Sequence, residues 1–189
     1  MKYHQGVDYK EVISEWAKKE KASPNEILRR RAPLLGALPK DTSWFKVSIT
    51  KEDLGSLKVI NSDIGWEIVS DYSGDIDHIV QNLSKFLKNP PPLPNRVLPS
   101  GITLEQYVSG LIESLHKFRI NAGNKGLNLT LILISSTKKG PFTILEGNHT
   151  AVGLYFRYFI DHPKLSYPTH DSYVGISSSM NKCLWYRSS

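Results

Sequence analysis

The chain has 189 residues, 40% hydrophobic and 22% charged, and its 24 lysines and arginines against 18 acidic residues leave a formal charge of +6. That length fits one domain with a substantial core and leaves little room for two, and with Cys183 as the only cysteine neither an internal disulfide nor a thiolate metal cluster can form. No apolar run is long enough to cross a bilayer, and Met1–Asp8 lacks the apolar core of a signal peptide, so a cytoplasmic protein with no membrane partner is expected.

The first helix is expected over about Tyr9 to Lys19, where Val12, Ile13 and Trp16 recur at near-helical spacing. Ser23, Pro24 and Glu26 then read as the N-cap, first turn and capping-box acid of a second helix, ended by Gly36 and Pro39. Across these two helices lie Lys18, Lys19, Lys21, Arg29, Arg30 and Arg31, with only Glu20 and Glu26 among them, a basic cluster that reads as a solvated helix face. Contact with nucleic acid is the alternative, though the run lacks interleaved aromatics and any known finger or helix-turn-helix spacing. Trp44 to Thr50 alternates as a strand does.

Asp75 to Lys88 is expected as a helix with Asp75 as cap and Ile76, Ile79, Val80, Leu83 and Leu87 on one face. The proline tract from Asn89 to Asn95 ends it and reads as a stiff spacer. Thr103 and Gln106 open the next helix, lined by Tyr107, Leu111, Leu115 and Phe118 and reaching about Arg119. Strands at Leu129–Ile134 and Phe142–Leu145 are separated by seven residues, too few for a crossover helix, so they are expected to be antiparallel neighbours. Lys138 and Lys139 then fall at the far end of the hairpin, exposed to solvent. At its other end Asn124, Lys125 and Asn128 are expected near Glu146.

The densest chemistry lies from Phe142 to Tyr155. An apolar, β-branched run ends in Glu146 and Gly147, and Asn148, His149 and Thr150 open an amphipathic stretch. A strand, tight turn and helix start in that order direct backbone N–H groups and the positive end of a helix dipole at one spot, which favours an anion such as phosphate. The plainer alternative is a structural turn with Asn148 or Thr150 as N-cap and His149 on the surface. His78, His116, His162 and His170 have no partner at metal-ligand spacing, so no zinc site is inferred.

Glu146-Gly147-Asn148-His149, followed by Ala151, resembles the signature of the ParB/sulfiredoxin-like superfamily, in which a strand ends in an acidic-Gly-x-His-Arg turn before an alanine-rich helix. Thr150 stands where that signature has arginine, which keeps a hydroxyl and removes a fixed cation. Val47–Leu54 resembles the family's opening strand and acidic-Leu turn, Phe118–Leu127 its helix and glycine loop, Leu129–Ile134 its next strand, and Tyr173–Ser177 a closing strand. No cysteine lies in the turn, so sulfiredoxin chemistry is set aside. The resemblance implies an α/β (α+β) domain over residues 41–189 with a small mixed sheet, preceded by an N-terminal helical extension over 1–40.

It also implies a nucleotide (ATP, ADP or CTP) or another phosphorylated small molecule bound at Gly147, Asn148, His149 and Thr150, with Mg²⁺ held at Glu146. Glu146 and His149 are then the catalytic candidates. In kinase-like members a further acid follows the first strand, and of Glu52, Asp53, Asp63 and Glu67 the first choice is Asp63, flanked by Ser62 and Gly65 in a turn. Mg²⁺-dependent phosphoryl transfer or nucleotide hydrolysis is the leading expectation. A ParB-type DNA binder or nuclease, and a non-catalytic interaction module that kept the fold, are the alternatives.

Overall fold

The computed structural model describes residues 1–89, 92–121 and 129–188. The positions of Asn124, Lys125 and Asn128, the glycine loop, and Pro90 and Pro91 of the proline tract lie outside the described residues.

Five strands form one mixed sheet in the order β1 (Lys2–Val7), β2 (Ser43–Ile49), β5 (His170–Ile176), β3 (Ile132–Ser135) and β4 (Thr143–Glu146). Only β3 and β5 run parallel; the other neighbours are antiparallel. The α/β class and small mixed sheet are therefore as expected. So is the β3–β4 hairpin, with Leu133 opposite Ile144 and Lys138 and Lys139 exposed on its loop.

Strand alternation gives the sheet two apolar faces, because successive side chains point to opposite sides. Trp44, Ile132, Ile134 and Tyr173 face one cluster, and Val47, Leu133 and Val174 face the other. The first face is covered by α1 (Tyr9–Glu20) and α2 (Pro24–Arg30), followed by the short α3 (Ala32–Gly36). Val12, Ile13, Trp16 and Ile27 are buried there, each contributing about 1.5–3 kcal/mol. Asp8 caps α1 by accepting the Lys10 N–H at 2.7 Å, and Ser23 caps α2 by accepting that of Glu26 at 3.2 Å. Residues 1–40 were expected to be helical; they also contribute β1, an edge strand too polar to show an alternating apolar face.

The second face carries α4 (Lys51–Gly55), α5 (Ile64–Val69), α6 (Ile76–Phe86), α7 (Leu104–Asn121) and α8 (Asn148–Tyr155). Thr103 and Gln106 form the expected reciprocal cap of α7, at 2.9 and 3.1 Å. Asp75 precedes α6, but its carboxylate pairs with Lys58 Nζ at 2.7 Å rather than capping the helix, and Leu87 is exposed at the end of the stripe. α8 packs against α6 and α7 and continues into a π-helical segment, Phe156–Asp161. Cys183 is buried in the first cluster, where burial pushes its thiol pKa up, as fits an apolar filler. No described helix is long and apolar enough to cross a membrane.

Candidate functional site

The junction of β4 and α8 is the strand–turn–helix the sequence predicts. Gly147 is its N-cap residue with φ 102, a left-handed conformation that glycine adopts without strain. No side chain caps the helix, so the expected capping role of Asn148 or Thr150 is not observed. The first bond of the ladder runs from Ala151 N–H to Gly147 O at 2.8 Å. The N–H groups of Asn148, His149 and Thr150 precede that ladder and lie at the positive end of the helix dipole.

This turn opens onto a cleft of about 470 Å³. Glu146, Gly147, Asn148, His149 and Thr150 form one side, Asp63 and Trp66 a second, and Lys19, Glu20 and Arg31 a third, with Phe118 and Trp185 completing the wall. All the predicted site residues thus meet in one cavity. Lys19 and Arg31 were expected on a solvated helix face; instead Lys19 and Glu20 continue the face of α1 that carries Val12 and Trp16, one turn beyond Trp16, and Arg31 meets Glu20 at the cleft.

Lys19 Nζ donates to Thr130 O at 2.9 Å and lies 3.6 Å from Glu146 Oε1, with both side chains largely buried. Burial pushes the lysine pKa down and outweighs the opposing pull of Glu146. The same Nζ sits 2.9 Å from the point where a Cβ on Gly147 would stand, so this cation touches the turn itself. Glu20 is held by Trp16 Nε1 at 2.7 Å and Arg31 Nη2 at 2.8 Å. Burial alone would raise its pKa, but the bonds from Arg31 and Trp16 outweigh that and hold it below the usual range.

His149 is wedged between Trp66, edge-on at 5.0 Å between ring centroids, and Phe118, tilted at 5.3 Å. Burial depresses its pKa, Asp63 draws it partway back, and Lys19 lowers it again. The imidazole is therefore neutral near pH 7, able to donate from one nitrogen and accept at the other. Asp63 caps α5, accepting the Gly65 and Trp66 N–H groups at 3.0 and 3.3 Å, and both its oxygens accept from Tyr107 Oη at 3.1 Å. Burial and the Asp63 charge push the Tyr107 phenol up to about 12, so it remains a donor. Asn148 is committed elsewhere: its Oδ1 accepts the Ile60 N–H at 3.1 Å and ties α8 to the segment before α5.

The other acids considered with Asp63 stand apart from the cleft. Asp53 completes the capping box of α4 with Thr50, Glu67 receives the Ser62 N–H at 3.0 Å, and neither these nor Glu52 line the cavity. Arg157 lines a separate groove with His162–Leu165. Asp75, Asp77 and His78 bring three ligand-type atoms within 4.8 Å of one another, but Lys58 already neutralises Asp75 and Ser73 Oγ lies 2.9 Å from His78 Nδ1.

No family model, curated protein or solved structure compared with this chain matches it.

Proposed function

We propose that the protein binds a nucleotide by its phosphates at the Gly147 turn and, with Mg²⁺, transfers or hydrolyses a phosphoryl group. The carrying observation is convergence: a helix N-terminus, two cations, three carboxylates and a neutral histidine from separate stretches of chain line one cleft of suitable volume. The N–H groups of Asn148–Thr150, the Thr150 hydroxyl and Lys19 Nζ are the phosphate donors. The aromatic rings of Trp66, Phe118 and Trp185 offer apolar surface to the remainder of the ligand.

With His149 neutral, the carboxylates of Glu20, Asp63 and Glu146 outnumber Lys19 and Arg31, so a bare polyphosphate meets a net negative wall. A hard divalent cation suits that donor set, and Glu146 is its proposed holder because Lys19 approaches it only to 3.6 Å. Bound there, Mg²⁺ would neutralise charge on the phosphates. Asp63 or His149 accepts the proton of the attacking hydroxyl or water.

This reading places the chain among ParB/sulfiredoxin-like proteins. The five-stranded mixed sheet and the Glu146–Gly147 junction support it, and Lys19 brings from α1 a cation to the turn where Thr150 replaces the signature arginine. The nucleic-acid alternative draws less support. Arg30 and Arg31 are paired with Glu20, and Arg30 also with Glu26, so much of the basic run is neutralised within the fold.

Calorimetric titration with ATP, ADP and CTP, with and without Mg²⁺, followed by an assay for released phosphate, tests the proposal. Binding that requires Mg²⁺ is expected. No heat with any of the three removes the reading, and binding without turnover reduces the protein to a ligand-binding module.

A further inference from the structure

The segment Leu184–Arg187 is tied closely to the loop that leads into α5. Asn61 donates its backbone N–H to Trp185 O at 3.1 Å and its Nδ2 to Leu184 O at 3.0 Å, and Ser62 Oγ donates to the same Leu184 O at 3.1 Å. Arg187 is buried. Its Nε donates to Val59 O at 3.1 Å, its Nη1 to Tyr72 O at 3.2 Å, and its backbone N–H to Thr143 Oγ1 at 2.9 Å. One guanidinium therefore grips both ends of the stretch from Val59 to Tyr72, which contains Asp63 and Trp66.

Its Nη2 also lies 3.9 Å from Glu67 Oε1, the oxygen that accepts the Ser62 N–H at 3.0 Å. Ser62 has φ 57, a left-handed conformation that a residue with a Cβ keeps only when its surroundings hold it there. Asp63 follows directly, so the conformation of Ser62 sets the direction from which its carboxylate enters the cleft. Burial pushes the Arg187 guanidinium pKa down, which makes it a poor source of net stability. What it supplies is direction: two fixed guanidinium N–H donors aimed at carbonyls that an apolar side chain could not hold.

We infer that Arg187 is a positioning residue for the cleft, which, together with Glu67, holds Ser62 in its left-handed conformation and so fixes Asp63 opposite His149. The consequence for ligand affinity rests on the nucleotide reading; the placement of Asp63 does not.

The test compares the full chain with Arg187→Met, which removes the donors, and Arg187→Lys, which keeps one charge. His149 and His170 are titrated by NMR without ligand, and Mg²⁺ with ATP is then titrated by calorimetry. In Arg187→Met, His149 should titrate at lower pH as Asp63 moves away, while His170 on β5 keeps its midpoint. Affinity should fall roughly tenfold, with Arg187→Lys between the two. A folded Arg187→Met with an unchanged His149 midpoint overturns the inference. Should Arg187→Met fail to fold, Glu67→Ala, which removes the oxygen that accepts the Ser62 N–H and faces Arg187 Nη2, is read in the same way. If the parent chain gives no heat with Mg²⁺ and ATP, the nucleotide reading alone falls, because the His149 shift needs no ligand.

Discussion

Lys19→Met tests, at one residue of the cleft, what the buried cation gives to binding and what it gives to the fold. Methionine keeps the apolar stem against the core and removes Nζ, which bonds Thr130 O at 2.9 Å and faces Glu146 at 3.6 Å. At an effective dielectric near 20 the ion pair is worth roughly 4–5 kcal/mol before desolvation. Yet burial wins over Glu146 in pushing the lysine pKa down, so the fold pays more to bury this charge than the carboxylate returns. Losing the Thr130 bond costs about 1.5–3 kcal/mol and Glu146 loses its partner, while the relieved desolvation of the lysine offsets part of this. With Glu146 left largely buried without its cation, the variant should be destabilised by about 1–3 kcal/mol in urea denaturation. Its affinity for Mg²⁺ with ATP should fall roughly ten- to a hundredfold, the loss of one charge-assisted bond to phosphate. A variant destabilised by more than about 3 kcal/mol with affinity intact would show Lys19 to be a strut, and the assignment of the site's cation would fail.

Other predictions follow from the same geometry. His149 and His170 both have pKa values lowered chiefly by burial, so as pH falls through about 6.5 the unfolded chain takes up protons before the folded one and stability is lost in that window. Urea midpoints should drop between pH 7.5 and 5.5, less so in His170→Phe; a flat profile would contradict the burial argument. Glu146→Gln should lower nucleotide turnover roughly a hundredfold or more and weaken the Mg²⁺-dependent part of the affinity, whereas His149→Ala should mainly weaken affinity; equal turnover in Glu146→Gln would make the carboxylate only a partner of Lys19. Gly147→Ala should cost about 1–3 kcal/mol in thermal unfolding, because φ is 102 and the new Cβ would stand 2.6 Å from Leu131 Cδ2; an unchanged melting temperature would show that the turn relaxes freely.

The parts of the fold that were legible in the sequence are those where local chemistry decides the outcome. Ser23 and Thr103 announce helix starts because their oxygens accept N–H groups three residues on, and the run from Thr143 to His149 displays strand, turn and helix in order. Strand β1 was not legible. Its residues Lys2–Val7 lie on the sheet edge with most side chains exposed, so no apolar alternation marks it. The turn residues and Asp63 could be listed as candidates one by one, but nothing local to either says that they share a cavity. Lys19 was hidden for a related reason. Helical spacing sets Lys19 one turn after Trp16 on the buried face of α1, and only the packing of that helix on the sheet tells what the end of the face meets. Phe118 reads as part of an apolar helix face by spacing, and contact with His149 gives it and Trp66 their place in the cleft wall.

The location of the ligand is the central claim, and amide NMR shift mapping during titration with Mg²⁺ and ATP tests it most directly. The account predicts that the largest changes fall on the backbone N–H groups of Gly147, Asn148, His149 and Thr150, with the Lys19 side chain and the indole of Trp66 moving in the same saturating titration. Changes centred instead on the groove of Arg157 and His162–Leu165, or an unperturbed Gly147–Thr150 turn at saturation, would contradict it.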